Sequence, residues 1–331
     1  MTSTILTFIL LSSVCFLGSA YTLSIYLARL YFRGQYPFDW RWVALLTEFS
    51  KLIVCAVLDF CSYFRYEYAS PRIFIFSFLK FGVSSFAYVI DTGIAFIALE
   101  FISPSLFQVV GGFRICTSVL LAKSMLGREP TLRSFLVCAA VVAGIALCEL
   151  DKMLQEDRTV LRDVAGSSQI TTLIGSLLGV LFCFISSVAD TYNEKLLKTD
   201  PCEPLYLQNA KLYTWGVIFN GALLLLPSLP RLDIVDPNVE TKFVDCGTPS
   251  AVAFMSMITI VGACNGLLIS LLLKKVDAVG RQLAGAMSIV VSTVGVSLID
   301  GNVPSAWFMS GAVVVVCATA LFRPVVSSNK G

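Results

Sequence analysis

The chain has 331 residues, of which 56% are hydrophobic and 14% charged, with a net charge of +2 and a mean hydropathy of +0.81. A soluble domain carries about 25% charged residues, so this excess of apolar side chains excludes a water-soluble fold and suits a bilayer. With no Lys/Arg-rich run the chain has no means of tracking a phosphate backbone, which excludes nucleic acid as a partner, and with no histidine it has no His-ligated metal and no imidazole base.

Hydropathy divides the chain into ten expected spans, near 5–31, 41–64, 74–101, 104–126, 131–149, 171–197, 204–228, 250–274, 280–299 and 304–323. The first lacks a basic leading region and is too long for a signal peptide, so it reads as a span that stays. The second carries Glu48 and Lys51, three apart on one helix face, where they can neutralise each other. A structural or gating role suits that pair better than substrate binding. The third carries Asp91 in FAYVIDTGIAF, able to accept from a ligand or to pair with an arginine.

The fourth span places Arg114 in mid-membrane, in SLFQVVGGFRICTSVLLAK. An ionised group there costs at least ~2.5–3.5 kcal/mol. A ligand phosphate would satisfy the guanidinium bidentately, and an ion pair with Asp91 is the alternative. Gly111-Gly112, just before it, favours close packing or bending. The ninth span opens with Arg281, which could snorkel to the interface or turn into a cavity. Tyr88, Phe107, Tyr192 and Tyr213 could stack on a base, and Asn209 could bond its edge. Most of the eleven cysteines lie in apolar runs and read as small hydrophobes.

Two longer polar stretches, near 150–169 and 229–249, emerge on the same side. They hold Asp151, Glu156, Asp157, Asp163, Asp233, Asp236, Glu240 and Asp245. The other side collects Arg65, Arg72, Arg128, Arg133, Lys195, Lys198, Lys274, Lys275, Arg323 and Lys330. The positive-inside rule then places both termini in the cytosol and the long loops in the lumen. Segment 126–147 echoes segment 298–321, with Pro130 and Pro304 aligned at the first helical turn. Five spans per half would invert the two halves. The expected architecture is therefore an all-α polytopic membrane protein with ten transmembrane helices in two inverted five-helix repeats. Its parts are residues 1–150, a lumenal loop at 151–170, and residues 171–331 with a short cytosolic tail.

From about Leu46 to Leu321 the sequence resembles the nucleotide-sugar transporters of the group carrying CMP-sialic acid, UDP-galactose and UDP-N-acetylglucosamine, within the drug/metabolite transporter superfamily. The family's TAEVLKL reads here as LTEFSKL, with Glu48 and Lys51 kept. YxxQNNxxFxAL reads as YVIDTGIAFIAL, and YQVTYQLKI as FQVVGGFRI. YFEKxLK reads as YNEKLLK, LWxRNIQxYxxG as LYLQNAKLYTWG, and KYxDNxxKGF as KKVDAVGRQL. The resemblance puts the family's two phosphate-binding lysines on Arg114 and Arg281. It places nucleoside contacts on Tyr88, Phe107, Asn209 and Tyr213, and carries a threonine onto Ser118. QNN has become Asp91-Thr92-Gly93, which makes Asp91 and Thr92 pocket positions of altered chemistry and leaves base and sugar open.

The resemblance implies a nucleotide-sugar transporter, most simply for a UDP-sugar. It would exchange cytosolic nucleotide-sugar for lumenal nucleoside monophosphate by alternating access in a Golgi membrane, with the endoplasmic reticulum as the alternative. The partners are those two ligands and membrane lipids, with a homodimer allowed. No cofactor and no metal are required. The rivals are a CMP-sialic acid-type transporter, a carrier of another phosphorylated metabolite and, least favoured, a polytopic membrane enzyme.

Overall fold

A computed structural model describes residues 2–32, 40–62, 71–102, 104–160, 168–225, 248–301 and 303–322. The acids Asp163, Asp233, Asp236, Glu240 and Asp245 and the bases Arg65, Arg323 and Lys330, used above to orient the chain, lie outside the described residues. The described residues form helices and no strand. In chain order the helices are α1 (Thr2–Tyr31), α2 (Trp40–Ser62), α3 (Pro71–Phe101), α4 (Pro104–Gly112), α5 (Arg114–Leu126), α6 (Leu132–Val160), α7 (Ser168–Thr199), α8 (Leu205–Leu225), α9 (Pro249–Lys275), α10 (Ala278–Ile299) and α11 (Ala306–Leu321).

Seven segments among the described residues are long and apolar enough to cross a membrane: Ile5–Tyr31, Phe74–Ala95, Leu106–Leu126, Leu132–Leu150, Leu173–Thr199, Pro249–Lys275 and Ala278–Ile299. The chain is a multi-pass helical membrane protein. Three of the ten expected spans are not in that set, each for a local reason. α2 carries Arg41, Glu48, Lys51 and Asp59. α8 buries polar side chains, including Gln208, Asn209, Lys211 and Asn220. α11 has 16 residues, fewer than a bilayer asks of an untilted helix. α2 still shows an apolar outer stripe at helical spacing, with Phe49, Ile53, Val57 and Phe60 all exposed.

Helix ends follow local chemistry. α5 stops at Gly127, whose φ of 64° suits glycine, and the N–H of Arg128 returns to Ala122 O at 3.3 Å. Asp277 caps α10 by accepting from Gly280 N at 2.6 Å, and Ser305 caps α11 by accepting from Phe308 N at 3.2 Å. α6 runs on to Val160, so the first part of the expected lumenal loop is helical. α4 and α5 are interrupted only at Phe113, whose N–H bonds Val110 O at 3.0 Å. The adjoining Gly111-Gly112 pair weakens the helix there.

The chain divides into two compact units. The first comprises Met1–Phe16, Ala87–Pro201 and Leu271–Gly331. Its core joins α5, α6, α10 and α11 through Ile115, Val119, Val141, Ile145, Leu283 and Val315. Within it α6 and α11 are almost in backbone contact. A Cβ added at Gly311 would lie 2.5 Å from Gly144 O and 2.7 Å from Cys148 N.

The second unit comprises Leu17–Phe86 and Cys202–Ser270. There α2 packs along α8. Trp215 of α8 lies against Gly82 of α3 and donates its indole N–H to Phe78 O at 2.9 Å. Ala28, Val43 and Ile258 form a small apolar core.

Candidate functional site

In the first unit α3, α5, α7 and α10 bring together charged groups that an apolar span holds only when each has a use or a partner. Arg281, one turn into α10, sets its guanidinium Nη1 against Asp190 Oδ1 of α7 as an ion pair. The Asp190 side chain is fully buried, whereas the Arg281 side chain keeps 23% of its surface exposed. Asp190 accepts two further hydrogen bonds, from Tyr88 OH at 2.8 Å and from Gln282 Nε2 at 2.6 Å. The Arg281 guanidinium carbon also lies 5.9 Å from the centre of the Tyr88 ring. Arg281 therefore turns inward rather than snorkelling, onto a carboxylate that the sequence reading did not single out. The cost argument that marked Arg114 applies equally to Asp190, within the expected span 171–197, and would have found it.

Arg114, at the first position of α5, donates Nε to Gly111 O at 3.1 Å. Its guanidinium covers the face of Phe182 at 4.9 Å, and the Phe107 ring lies tilted by 38° against the same ring at 4.9 Å. Arg114 makes no ion pair with Asp91 in this arrangement. The two arginines are near enough to act electrostatically on each other and on Asp91, which has Ser186 beside it. Asp91 Oδ1 and Gln108 Oε1 are buried and accept no hydrogen bond. Such orphaned oxygens are rare in folded proteins, and each asks for a donor.

The remaining expected residues of this unit are bonded within the protein. Thr92 donates to Tyr88 O at 3.0 Å. Ser118 is fully buried and donates to Ser187 Oγ at 3.2 Å. Thr117 adds a 2.5 Å contact to the same serine, and Ser187 bonds Arg114 O at 3.1 Å. This hydroxyl seam ties α5 to α7 and fixes the backbone that carries Arg114.

Four residues beyond Asp190 on α7, Glu194 lies in a second buried charge cluster. It receives Arg128 Nη2 at 2.5 Å, Lys198 Nζ at 2.7 Å and the backbone N–H of Ala278 at 2.8 Å. Asp277, in the turn between α9 and α10, lies 3.9 Å from Arg128 Nη1. Burial pushes the Asp277 carboxyl up, against the opposing pull of the Gly280 N–H and the nearby cations.

The second unit holds the other expected residues. Tyr213 is buried, and its hydroxyl meets Ser270 Oγ at 2.9 Å. Lys51 Nζ lies 4.4 Å over the Tyr213 ring and pairs with Glu48. That pair occupies a slot opened by two glycines. A Cβ at Gly216 would lie 2.7 Å from Glu48 Oε2, and one at Gly266 would lie 2.9 Å from Lys51 Cδ. Asn209 is buried, with Oδ1 lacking a partner. Lys211, also buried, meets Glu203 at 2.5 Å and Ser77 at 3.0 Å.

Comparison with known proteins agrees with this picture of a helical carrier. The chain is 23% identical over 327 residues to UDP-galactose translocator 1 of Caenorhabditis elegans, covering 95% of this chain and 87% of that protein. It is 26% identical to the UDP-N-acetylglucosamine transporter of Rattus norvegicus, over 74% of this chain and 70% of that one. It is 24% identical to CMP-sialic acid transporter 1 of Oryza sativa subsp. japonica, over 88% and 87%. A solved crystal structure aligns with 94% of this chain and 96% of its own, with a TM-score of 0.62 and 15% identity, a likeness that carries the fold alone. These relatives are named as transporters or translocators, not enzymes. The nucleotide-sugar transporter family model matches residues 2–323, and the chain belongs to that family.

Proposed function

We propose that this protein carries a nucleotide-sugar, most simply a UDP-sugar, across a Golgi membrane in exchange for a nucleoside monophosphate. The observation that carries the reading is the family match across residues 2–323 together with two arginines held inside membrane-length segments. Arg114 and Arg281 supply the cations for the phosphoryl groups that both ligands share. The orphaned oxygens of Asp91 and Gln108 are available to ligand donors, and Phe107 and Tyr88 offer aromatic faces. In the second unit Asn209 and Tyr213 are the nucleoside contacts, and the Glu48–Lys51 pair has a structural or gating role.

On this reading the chain crosses the membrane ten times in two inverted halves, with both termini cytosolic, and works by alternating access. A CMP-linked sugar is the second reading, supported by plant CMP-sialic acid transporters among relatives at comparable identity.

Counterflow in proteoliposomes tests it. Vesicles are preloaded in turn with UMP, CMP or GMP and offered labelled nucleotide-sugars. UMP-stimulated uptake of a UDP-sugar is the expected result. Stimulation by CMP alone selects the second reading, and silence with all three from folded protein overturns both.

A further inference from the structure

Asp190 has no part in the reading above, yet it is the immediate partner of one of the two arginines that reading relies on. We propose that Asp190 is a positioning and selectivity residue, whose carboxylate competes with a ligand phosphoryl group for the Arg281 guanidinium. Ligand binding then transfers Arg281 from an internal anion to an external one. This deepens the nucleotide-sugar reading and rests on it.

Three observations carry the proposal. First, the pair is asymmetric: the Asp190 side chain is fully enclosed, while the Arg281 side chain retains 23% exposure, although the Nη1 that meets Asp190 is itself buried. Second, the carboxylate is prepared to lose its cation. Removing one member of a buried ion pair is normally costly, because it strands the other charge. Here Tyr88 OH already donates to Oδ1 and Gln282 Nε2 to Oδ2, so each oxygen of Asp190 keeps a hydrogen bond after Arg281 leaves. Third, a carboxylate and a phosphoryl group present the same paired acceptors to a guanidinium fork, so the exchange replaces like with like.

Charge bookkeeping gives the exchange a selective effect. Asp91 and Asp190 offset Arg114 and Arg281 within the same unit. A ligand must therefore bring enough negative charge to outbid Asp190, which disfavours neutral sugars and nucleosides.

The test uses the full-length protein in detergent, with binding measured by calorimetry for UMP, CMP, GMP and inorganic pyrophosphate. Asp190→Asn keeps the shape of the side chain and removes its charge. The expected result is tighter binding of the responding monophosphate, by about tenfold, with slower counterflow because release is impeded. Arg281→Ala should weaken binding, and Asp190→Asn in that background should then change nothing. Tyr88→Phe gives an independent arm: by removing a donor that competes for Asp190, it should strengthen the carboxylate's hold on Arg281 and weaken ligand binding.

Wild-type binding of a monophosphate that Asp190→Asn leaves unchanged or weakens would sink the Asp190 assignment and keep the nucleotide reading. Should the Asn variant not fold, unchanged or tighter binding by Tyr88→Phe overturns the assignment instead. Pyrophosphate binding that tightens in Asp190→Asn, with every nucleotide silent, would do the reverse. Silence of all four probes toward folded wild type and variant removes both.

Discussion

The ammonium of Lys51 lies 4.4 Å over the ring of Tyr213 while pairing with Glu48 on its own helix. Lys51 thus serves two partners at once, the Glu48 carboxylate and the Tyr213 ring. We predict that Lys51→Ala destabilises the protein by up to ~3 kcal/mol, because it strands a half-buried carboxylate. Glu48→Ala with Lys51→Ala together should cost less than the sum of the single changes. Thermal unfolding of the four proteins checks this, and additive losses would show that the pair is not coupled.

Arg114→Ala is expected to abolish transport while the protein still reaches the membrane. The side chain's contacts in the structure are the Gly111 carbonyl at the end of α4 and the face of Phe182, and it forms no ion pair among the described residues. Uptake into proteoliposomes, normalised to folded protein, reads it. Full retained activity would remove the phosphate role.

Asp91→Asn should shift substrate preference with little change in stability. Its Oδ1 is buried without a partner, so the ionised carboxylate makes no strong internal bond there that the amide would lose. Competition among nucleotide-sugars measures the preference. A collapse in folded yield would instead assign Asp91 a structural ion pair.

Gly311→Ala should lower the thermal midpoint, at a cost of about 1–3 kcal/mol or more. The added methyl meets backbone atoms of α6 within 2.7 Å, and backbone cannot rotate away as a side chain can. Gly285→Ala is the control, since a Cβ there meets nothing within 4 Å. Equal midpoints for the two variants would refute the close α6–α11 packing.

Asp277 supplies a pH signature. Burial raises its folded-state value above the ordinary 3.8, so the native protein holds a proton that the unfolded chain has released. The stability it contributes is present at low pH and is lost as pH rises through the raised value. Asp277→Asn keeps the α10 cap and abolishes the titration. The midpoint difference between wild type and this variant should therefore widen as pH rises above about 4, in the variant's favour, and level off once the native carboxyl has ionised. A difference that is flat with pH would show that Asp277 is ionised throughout by Arg128.

Much of the fold was legible because lipid imposes a simple rule on composition. Long apolar runs had to be helices, and the in-span cations Arg114 and Arg281 had to be accounted for. Two things were not legible. Hydropathy marks the edge of the lipid rather than the end of a helix, so α6 continues to Val160 through charged residues that are good helix formers. Pairing across helices depends on rotation and register, which local pattern does not contain. Arg281 therefore showed itself as a cation that could snorkel or turn inward, while its partner Asp190 lay unmarked on another helix. Likewise Ser118 matched a motif position, and only packing revealed that it faces Ser187.

Asp190 and Glu194 are one helical turn apart on α7, and both grip the start of α10. Asp190 holds Arg281 and Gln282, while Glu194 holds the Ala278 N–H and, one turn on, Lys198 donates to Val276 O. Two clamps on one rod stop it from swivelling; a single clamp is a pivot. Whatever draws Arg281 away from Asp190 leaves Glu194 and the Gln282 amide to bear the torque. Losing Arg281 therefore loosens one of the two clamps on the first turn of α10 without releasing it.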